Sequence, residues 1–432
     1  MNSVERLLSG RARLAVIGLG YVGLPLAQAF ARKVNVIGYD KSTDRIDSLL
    51  HGQDPNHDIA DTQFKDLHII YTSVESDLAA AEVFIVAVPT PIDRFHKPDL
   101  TMLIAATETV AKYLRHGAMV VFESSVYPGC TEEECIPRLE RISGLRCNAD
   151  FAVGYSPERI NAGDRQHTLA NVVKIVSASS AEALDEVVRL YALVVGAGLH
   201  RAESIAVAEM SKIIENTQRD VNIALMNEVA LICHRLGLST ADVLRAASTK
   251  WNFMDFHPGL VGGHCIGVDP YYLDYKAASV GYHTQLINHG RYINDSMGRY
   301  VAKQTLKMLN THNIVAQKAR VLLMGLTFKE NVADVRNSRA YDIYDELRSY
   351  NIQNIDIWDP VANHTAARAE YNIELTAKPE GIYDAVIVAV AHNAFRESGM
   401  EFLRAHLCAG GVLVDVLGIY PDAGQWYDVF RL

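Results

Sequence analysis

Short apolar runs separated by helix-forming stretches dominate the first half of the chain. The runs cover residues 14–17, 35–39, 83–91 and 119–125, with shorter ones at 151–155 and 172–177. Continuous apolar runs of this kind are typical of strands buried on both faces of a parallel sheet. Two of them end at Thr90 and at Ser124/Ser125, and ligands of open α/β sheets bind at such carboxyl ends. The pattern predicts a sheet with a ligand site along that edge.

The apolar spacing changes in the middle of the chain. From about Ser204 to Leu236 there is no Gly or Pro, and apolar side chains recur at roughly helical intervals. A helix of that length spans roughly 50 Å at 1.5 Å per residue. Its apolar surface exceeds what one face needs, so we expect a homodimer that forms through this helix.

The alternation of strands and helices returns after the long helix. Apolar runs at 320–325, 355–360, 385–390 and 411–415 echo the first series. We therefore expect an α/β protein with two Rossmann-like, doubly wound parallel-sheet domains joined by a long central helix. The predicted divisions are 1–200, 201–300 and 301–432.

A glycine-rich turn follows the first apolar run. Gly18-Leu19-Gly20-Tyr21-Val22-Gly23 opens a helix-forming stretch, and Asp40 ends the next strand roughly 20 residues on. In a dinucleotide site the glycines allow close approach of the pyrophosphate to the helix N-terminus, and the acid binds the ribose hydroxyls. A carboxylate there repels the extra phosphate of NADP, so we predict NAD. The turn at 325–329, Gly-Leu-Thr-Phe-Lys, lacks this fingerprint.

The composition excludes several other classes of protein. A net charge of −10 argues against nucleic acid as a partner. The six cysteines show neither C-x-x-C nor zinc spacing, which favours reduced thiols and predicts no metal site. No apolar run approaches the roughly 18 residues of a membrane span. These features predict a cytoplasmic protein with no membrane association.

One cysteine stands in an unusual setting, Gly262-Gly263-His264-Cys265-Ile266-Gly267-Val268-Asp269-Pro270. Glycines leave room for a substrate, and Asp-Pro suits a helix start. A thiol near a helix N-terminus ionises readily and becomes nucleophilic. On these residues alone, Cys265 is either a nucleophile or a structural cysteine.

Other polar clusters also allow two interpretations. Helical spacing brings Lys212 and Asn216 to one face of the long helix, with Glu209 and Arg219 nearby, either as a binding site or as a solvated face. Glu158 lies in a loop after a strand, as a functional acid or a capping residue. The segment before the cysteine turn offers aromatic and polar contacts from Lys250, Asn252, Phe253, His257 and Gly259.

Together, seven segments resemble the UDP-sugar and GDP-mannose 6-dehydrogenase family, in the family's order and over nearly the whole chain. They are GLGYVG, VAVPTPI, ESSVYPGCTEEE, SPERINAG, AEMSKIIENTQRD, GGHCIGVDP and GLTFKENVADVRNS. The resemblance implies an NAD-binding N-terminal domain, a central helical dimerisation region with the Cys loop, and a C-terminal nucleotide-sugar domain. It also implies a four-electron oxidation of a sugar C6 alcohol to a carboxylate with two NAD.

The resemblance also implies roles for individual residues. Cys265 is the nucleophile, Lys212 and Asn216 stabilise the oxyanion, Asp269 steers a proton or the lysine, and Glu158 positions water with Ser125. Lys329 is implied on the substrate side and Arg336 at the cofactor. The remaining implied cofactor contacts are Tyr21, Val22, Arg45, Pro89 and Thr90, and the implied substrate contacts include Glu158, Arg159, Lys212, Asn216 and Arg219.

The resemblance points to a subgroup. Hexose-type members carry Lys immediately before the aspartate of the cysteine motif, whereas this chain has Val268. This feature favours oxidation of UDP-N-acetylglucosamine or UDP-N-acetylgalactosamine for a surface polysaccharide, with the C4 epimer open. The alternatives are UDP-glucose or UDP-N-acetylmannosamine as substrate, and a non-catalytic sensor of NAD or nucleotide sugar.

Overall fold

A computed structural model describes residues 3–54, 67–159 and 168–432. The chain divides into two compact units. Unit 1 contains Met1–Glu215 and Tyr271–His283, and unit 2 contains Asn216–Pro270 and Thr284–Leu432. The Ile160–Gly163 part of the SPERINAG segment lies outside the described residues.

An eight-stranded sheet forms the framework of unit 1. Its strands are β1 (Arg13–Ile17), β2 (Val36–Tyr39), β3 (Ile69–Thr72), β4 (Ala81–Val86), β5 (Met119–Phe122), β6 (Ala152–Tyr155), β7 (Lys174–Ala178) and β8 (Leu199–Arg201). The strand order is β3-β2-β1-β4-β5-β6-β7-β8. The first six follow the 3-2-1-4-5-6 order of dinucleotide-binding sheets.

The pairing of β6 with β7 differs from the predicted all-parallel sheet. These strands run antiparallel, while the other pairs of this sheet are parallel. One antiparallel step near the edge of a parallel sheet is common in large α/β folds. The sequence pattern missed it because apolar runs carry no information on strand direction.

Helices complete unit 1. They are α1 (Ser3–Leu8), α2 (Gly23–Ala31), α3 (Thr43–Leu50), α4 (Thr101–Tyr113), α5 (Ile136–Ser143) and α6 (Ala181–Tyr191). The fully buried Phe30 of α2 packs edge-on against Tyr191 of α6. Such packing buries the apolar face that each helix presents to the sheet.

Four helices lie between the two sheets along the chain. The predicted central helix is α7 (Ile205–Leu236), and α8 (Thr240–Ala247), α9 (Asp269–Ser279) and α10 (Leu286–Thr311) follow it. The chain passes from unit 1 to unit 2 within α7. In unit 2, the buried Arg291 guanidinium of α10 lies 2.5 Å from a carboxylate oxygen of Asp220 on α7.

The second sheet contains five strands in unit 2. They are β9 (Val321–Met324), β10 (Ile355–Trp358), β11 (Tyr383–Val388), β12 (Leu407–Asp415) and β13 (Asp428–Phe430), and the helices between them are α11 (Arg339–Ser349), α12 (His364–Tyr371) and α13 (Asn393–His406). All pairs are parallel, in the order β10-β9-β11-β12-β13. Alternate residues of β9 point to opposite faces of the sheet. Val321 and Leu323 belong to one hydrophobic core cluster, and Leu322 and Met324 belong to another.

These features confirm the predicted fold class of two Rossmann-like sheets and a long central helix. The sequence pattern did not predict three short strands, β3, β8 and β13, which lie at sheet edges. Edge strands are covered less completely, so their apolar pattern is weaker. The three-part division at residues 200 and 300 stays a prediction.

Candidate active site

In unit 1 the glycine turn joins β1 to α2 as predicted. Gly18 has a φ of +90°, and a Cβ there would lie 2.7 Å from the Ala87 carbonyl oxygen. A Cβ on Gly23 would lie 1.8 Å from the Gly18 carbonyl oxygen. A Cβ on Gly20 would meet nothing within 4 Å. The outer glycines allow the turn to close, while Gly20 leaves open space where a pyrophosphate approaches the helix N-terminus.

Asp40 lies beside this turn, at the end of β2. Its Oδ2 accepts a hydrogen bond from the Leu19 N–H at 2.9 Å, and its Oδ1 accepts one from the Ser42 N–H at 3.0 Å. Arg45 Nε lies 3.6 Å from Asp40, and Arg45 Nη1 donates to the Leu19 carbonyl. The carboxylate is therefore fixed next to the turn, where a ribose-binding acid is required.

The ends of β4 and β5 meet at the same edge of the first sheet. The Thr90 hydroxyl donates to the Ser125 carbonyl at 2.6 Å, and the Ser124 hydroxyl donates to the Val88 carbonyl at 2.7 Å. The phenol of Tyr272 donates to the Thr90 carbonyl at 3.0 Å. Pro89 is exposed. The hydroxyl groups of Thr90 and Ser124 thus link the loop after β4 to the loop after β5.

Glu158 follows β6 in unit 1 and is mostly buried. Its Oε1 accepts a hydrogen bond from the Arg159 N–H at 2.6 Å, and its Oε2 lies 3.9 Å from Lys174 Nζ. The Arg159 guanidinium pairs with Glu215 at 2.8 Å, on α7. The loop that carries Glu158 is therefore fixed by ionic contacts.

Lys212 of α7 is buried with only 7% of its surface exposed. Among the described residues, no hydrogen bond or ion pair reaches its ammonium. A buried charge without a partner is costly unless a ligand supplies one. Lys212 is therefore suited to bind an anionic or carbonyl oxygen of a ligand.

In unit 2 the cysteine turn lies directly before α9, as predicted. The Cys265 carbonyl accepts hydrogen bonds from the Val268 N–H at 3.1 Å and the Asp269 N–H at 2.9 Å, and Cys265 is exposed. Asn216 Nδ2 donates to Asp269 Oδ2 at 2.5 Å, and both side chains are buried. Unit 2 therefore brings two predicted catalytic residues, Asn216 and Asp269, into contact.

The loop after β9 supports the cysteine turn from the other side. The Gly263 N–H donates to the Asn337 carbonyl at 3.1 Å, and Asn337 Nδ2 donates back to the Gly263 carbonyl at 2.7 Å. A Cβ on Gly263 would lie 2.6 Å from the Phe328 ring. The GLTFKENVADVRNS segment, with Lys329 partly buried, thus packs against the GGHCIGVDP segment.

Sequence reasoning missed Asp334, which links His264 to Arg336. His264 Nε2 lies 2.7 Å from Asp334 Oδ2, and Arg336 Nη2 lies 2.6 Å from the same oxygen. Burial alone would raise the pKa of Asp334, but His264 and Arg336 outweigh it and hold this pKa well below the usual range. Arg336, predicted at the cofactor, is thereby oriented by Asp334.

The segment before the cysteine turn is largely exposed, including Lys250, Asn252 and His257, whereas Phe253 is half-buried. Gly259 is fixed by hydrogen bonds at both its N–H and its carbonyl oxygen. Its N–H donates to Asn227 Oδ1 at 2.8 Å, and its carbonyl accepts from Asn227 Nδ2 at 3.1 Å. Arg219, the last member of the helix cluster, is exposed.

A second group missed by sequence reasoning surrounds Lys174. This lysine, Glu123 and Tyr191 are buried side by side behind Glu158. A lysine between apolar residues in the segment Val172-Val173-Lys174-Ile175-Val176 was the available signal. A charged residue in a buried strand needs a partner of opposite charge.

Asp359 occupies in the second sheet the position that Asp40 has in the first, after β10. Its oxygens accept hydrogen bonds from the N–H groups of four residues, Leu326, Thr327, Val361 and Ala362. His392 Nε2 lies 3.1 Å away, and none of the Asp359 side chain is exposed. This acid therefore shapes its own loop, which agrees with the missing dinucleotide fingerprint.

The described residues contain neither a membrane-spanning helix nor a cluster of metal ligands. No helix among them is long and apolar enough to cross a membrane. In the same part of the chain, no three His, Cys, Asp or Glu side chains gather as a metal site would require.

The turn, the helix N-terminus and Asp40 define a dinucleotide-binding protein of the dehydrogenase type. Models of the UDP-glucose/GDP-mannose dehydrogenase family match three parts of the chain: the NAD binding domain at 12–195, the central domain at 206–296 and the UDP binding domain at 322–422. The chain belongs to the UDP-glucose/GDP-mannose dehydrogenase family, and its cofactor is NAD.

Full-length relatives agree with this assignment. The UDP-N-acetyl-D-glucosamine 6-dehydrogenase of Pseudomonas aeruginosa is 51% identical over 94% of this chain and 96% of its own. CapL of Staphylococcus aureus is 48% identical over 94% of this chain and 96% of its own. The structure of a UDP-D-ManNAc dehydrogenase from Pyrococcus horikoshii matches with a TM-score of 0.85 at 31% identity, covering 97% of this chain and 98% of the other.

Proposed function

We propose that this chain oxidises the C6 alcohol of a UDP-N-acetylhexosamine, UDP-N-acetylglucosamine or UDP-N-acetylgalactosamine, to the uronic acid. One observation carries the proposal: relatives from Pseudomonas aeruginosa and Salmonella typhi, 51% and 47% identical, are both named UDP-N-acetyl-D-glucosamine 6-dehydrogenase. The overall reaction converts one alcohol, two NAD and one water into a carboxylate, two NADH and three protons. We assign the product to surface polysaccharide synthesis in the cytoplasm.

Cys265 is the nucleophile in this proposal. Its thiolate adds to the aldehyde formed by the first oxidation, giving a thiohemiacetal that the second oxidation converts to a thioester. Water then breaks the C–S bond and releases the carboxylate. The exposed thiol in a turn lined by glycines supports this role, because the sugar carbon must approach closely.

Five other residues assist the chemistry. The buried ammonium of Lys212 and the amide of Asn216 stabilise the developing oxyanion, and one such donor is typically worth about 10² to 10³ in rate. Asp269 holds Asn216 in place by the hydrogen bond between them. Glu158 takes a proton from the hydrolytic water, and Ser125 helps to position that water.

NAD, when bound, accepts one hydride in each oxidation. The open space beside Gly20 and the fixed carboxylate of Asp40 support binding by the first sheet. Tyr21, Val22 and the helix N-terminus bind the pyrophosphate, and Thr90 and Ser125 line the carboxyl edge. Arg45, Pro89 and Arg336 complete this proposed set of contacts.

The nucleotide sugar is assigned to unit 2, whose sheet carries the family's UDP binding domain. Lys329 binds the substrate. The further substrate contacts in our proposal are Glu158, Arg159, Arg219, Lys250, Asn252, Phe253, His257 and Gly259. The fixed backbone of Gly259 supports this assignment, since its carbonyl accepts one hydrogen bond from Asn227 and keeps a second lone pair for a sugar hydroxyl.

We further propose a homodimer that forms through α7. This helix exposes apolar side chains at 207, 214, 225, 232 and 236, and their separations place them on one face. Exposed apolar patches of this kind mark protein–protein contacts.

Two alternative substrates follow from more distant relatives and from the family itself. The chain is 33% identical to a UDP-N-acetyl-D-mannosamine dehydrogenase of Pyrococcus horikoshii, and the family also includes UDP-glucose dehydrogenases. A non-catalytic sensor is a third candidate, disfavoured because Cys265, Lys212, Asn216 and Asp269 are all present.

A substrate panel tests the proposal. Purified protein receives NAD with each of the four UDP-sugars, while NADH absorbance and the product mass are followed. We expect two NADH per uronate, with fastest turnover for one of the two N-acetylhexosamines of the proposal. Preference for UDP-glucose or UDP-N-acetylmannosamine would overturn the substrate assignment, and no turnover with any sugar would favour the sensor.

A further inference from the structure

A lysine is buried in the sheet directly behind Glu158. Lys174 begins β7 and has 3% of its surface exposed. Its Nζ lies 2.8 Å from Glu123 Oε2 and 3.9 Å from Glu158 Oε2, and it donates to the Pro157 carbonyl at 3.2 Å. Because β5, β6 and β7 are neighbours, residues at the ends of these strands converge on one ammonium.

Glu123 has a second buried partner. Its Oε1 accepts a hydrogen bond from the phenol of Tyr191, and Lys174 Nζ lies 5.3 Å from the centre of the Tyr191 ring. Burial raises the pKa of Glu123 to about 7, and Lys174 works against that rise. Burial would also lower the pKa of Lys174, but Glu123 and Glu158 outweigh it and raise this pKa. The lysine therefore stays charged among its acids.

The two carboxylates differ in access. The Glu123 side chain is fully covered, whereas 12% of the Glu158 side chain is exposed. Glu123 is thus a structural counter-ion, while Glu158 retains a face for water or ligand. Lys174 Nζ contacts both acids, at 2.8 Å from Glu123 and 3.9 Å from Glu158.

We propose that Lys174 is a positioning residue for Glu158 in thioester hydrolysis. This inference rests on the proposed function. In that step the water oxygen bonds to the thioester carbon, the C–S bond breaks with its electron pair on Cys265 sulfur, and one water proton passes to Glu158. Lys174 attracts one oxygen of Glu158 and the Arg159 N–H binds the other, so the carboxylate keeps a single orientation.

A purely structural role for Lys174 makes a different prediction. If the lysine only neutralises Glu123, then removing both charges together leaves catalysis intact. Lys174→Met alone leaves the buried carboxylate of Glu123 without its counter-ion, so this variant is expected to unfold more easily. The decisive variant is therefore Lys174→Met combined with Glu123→Gln, which removes the pair and retains a hydrogen-bond partner for Tyr191.

The experiment follows NADH release and intact protein mass in the wild type, the double variant and Lys174→Arg. We expect the double variant to fold and to bind NAD with an unchanged Kd. Its steady-state rate should fall roughly 10- to 100-fold, less than the about 10² to 10⁴ that a general base contributes, because Glu158 itself remains. A burst of two NADH per site and a sugar adduct on Cys265 should accompany the loss, and Lys174→Arg should retain most activity.

Three results would overturn the inference. The first is a double variant with normal turnover, and the second is a slow one without the Cys265 adduct. The third is a wild type that forms no uronate from any UDP-sugar, in which case the proposed function fails as well. If the wild type turns over normally and the double variant is equally active, only the role of Lys174 is excluded and the proposed function stands.

Discussion

At the residue scale, environment decides what an acid can do. Asp40 and Asp359 each follow the second strand of their own sheet. Asp40 keeps 15% of its side chain exposed beside an open glycine, whereas the oxygens of Asp359 are occupied by backbone N–H groups and His392. Because a covered carboxylate has no free lone pair for a ribose, only Asp40 is suited to bind NAD.

Replacing Asp40 with Ala should weaken NAD binding. Hydrogen bonds to a charged group contribute about 1.5–3 kcal/mol, so we expect the Kd for NAD to rise roughly tenfold or more. Fluorescence titration measures this, with Asp44→Ala on the exposed start of α3 as the control. Equal Kd values for the two variants would exclude Asp40 from the ribose site.

Replacing Cys265 with Ser should stop acid formation. A serine hydroxyl at this position is far less nucleophilic than a thiolate, so the reaction should end at or before the aldehyde, with at most one NADH per sugar. Product mass spectrometry and NADH counts measure the outcome. Cys408→Ser, which changes a half-buried thiol of β12, is the matched control. Wild-type uronate output from Cys265→Ser would remove the thioester mechanism.

At the element scale, α7 combines two faces with different properties. One face carries the buried Lys212 and Asn216, and another exposes Ile214, Leu225 and Ile232. A 32-residue helix is long enough to support both sets at fixed spacing. The helix pattern therefore predicts the same element for the chemistry and for a contact between copies of the chain.

Leu225→Asp together with Ile232→Asp should convert the proposed dimer to a monomer. Each change places a charge where an apolar contact would exclude water, and buried unpaired charges are strongly unfavourable. Sedimentation velocity measures the mass. Val315→Asp is the control, because Val315 is 57% exposed, close to the 52% of Leu225, and lies outside α7. A wild type that sediments as a monomer would contradict the dimer.

At the scale of the whole molecule, the stability of the fold at low pH depends on carboxylates that are paired only in the folded state. Burial opposes ionisation of Asp359, but His392 and backbone donors outweigh it and hold its pKa below the usual 3.8. A folded-state pKa below the unfolded one stabilises the protein above about pH 4 and loses this contribution as the pH falls. We therefore expect stability to decline from about pH 4 downward.

Asp359→Asn should reduce the dependence of the unfolding free energy on pH. At pH 7 the variant should lose about 1.5–3 kcal/mol of unfolding free energy, because hydrogen bonds to a buried charge are lost. Below pH 4 its stability should fall less steeply than that of the wild type. Urea unfolding between pH 2 and 7 measures both effects. Parallel curves for the two proteins would show that Asp359 is not responsible.

Much of the local geometry at the candidate site was predictable because the residues concerned are close in sequence. The glycine turn with Asp40, the cysteine turn before α9, and the pair Lys212 and Asn216 follow from local spacing. Lys174, Asp334 and Asn227 were missed, since each acts on a residue brought near only by folding. A single polar residue in an apolar or loop segment does not indicate which distant residue it will contact.

The sequence by itself determined the two series of strands, the long helix and the family, because apolar periodicity and short motifs depend on neighbours along the chain. Only the tertiary structure decided that Asp359 is covered, that β7 runs antiparallel to β6, and that Lys174 reaches Glu158. The physical reason is distance along the chain. Hydrogen bonds and ion pairs between remote residues depend on how strands are ordered, which local pattern does not specify.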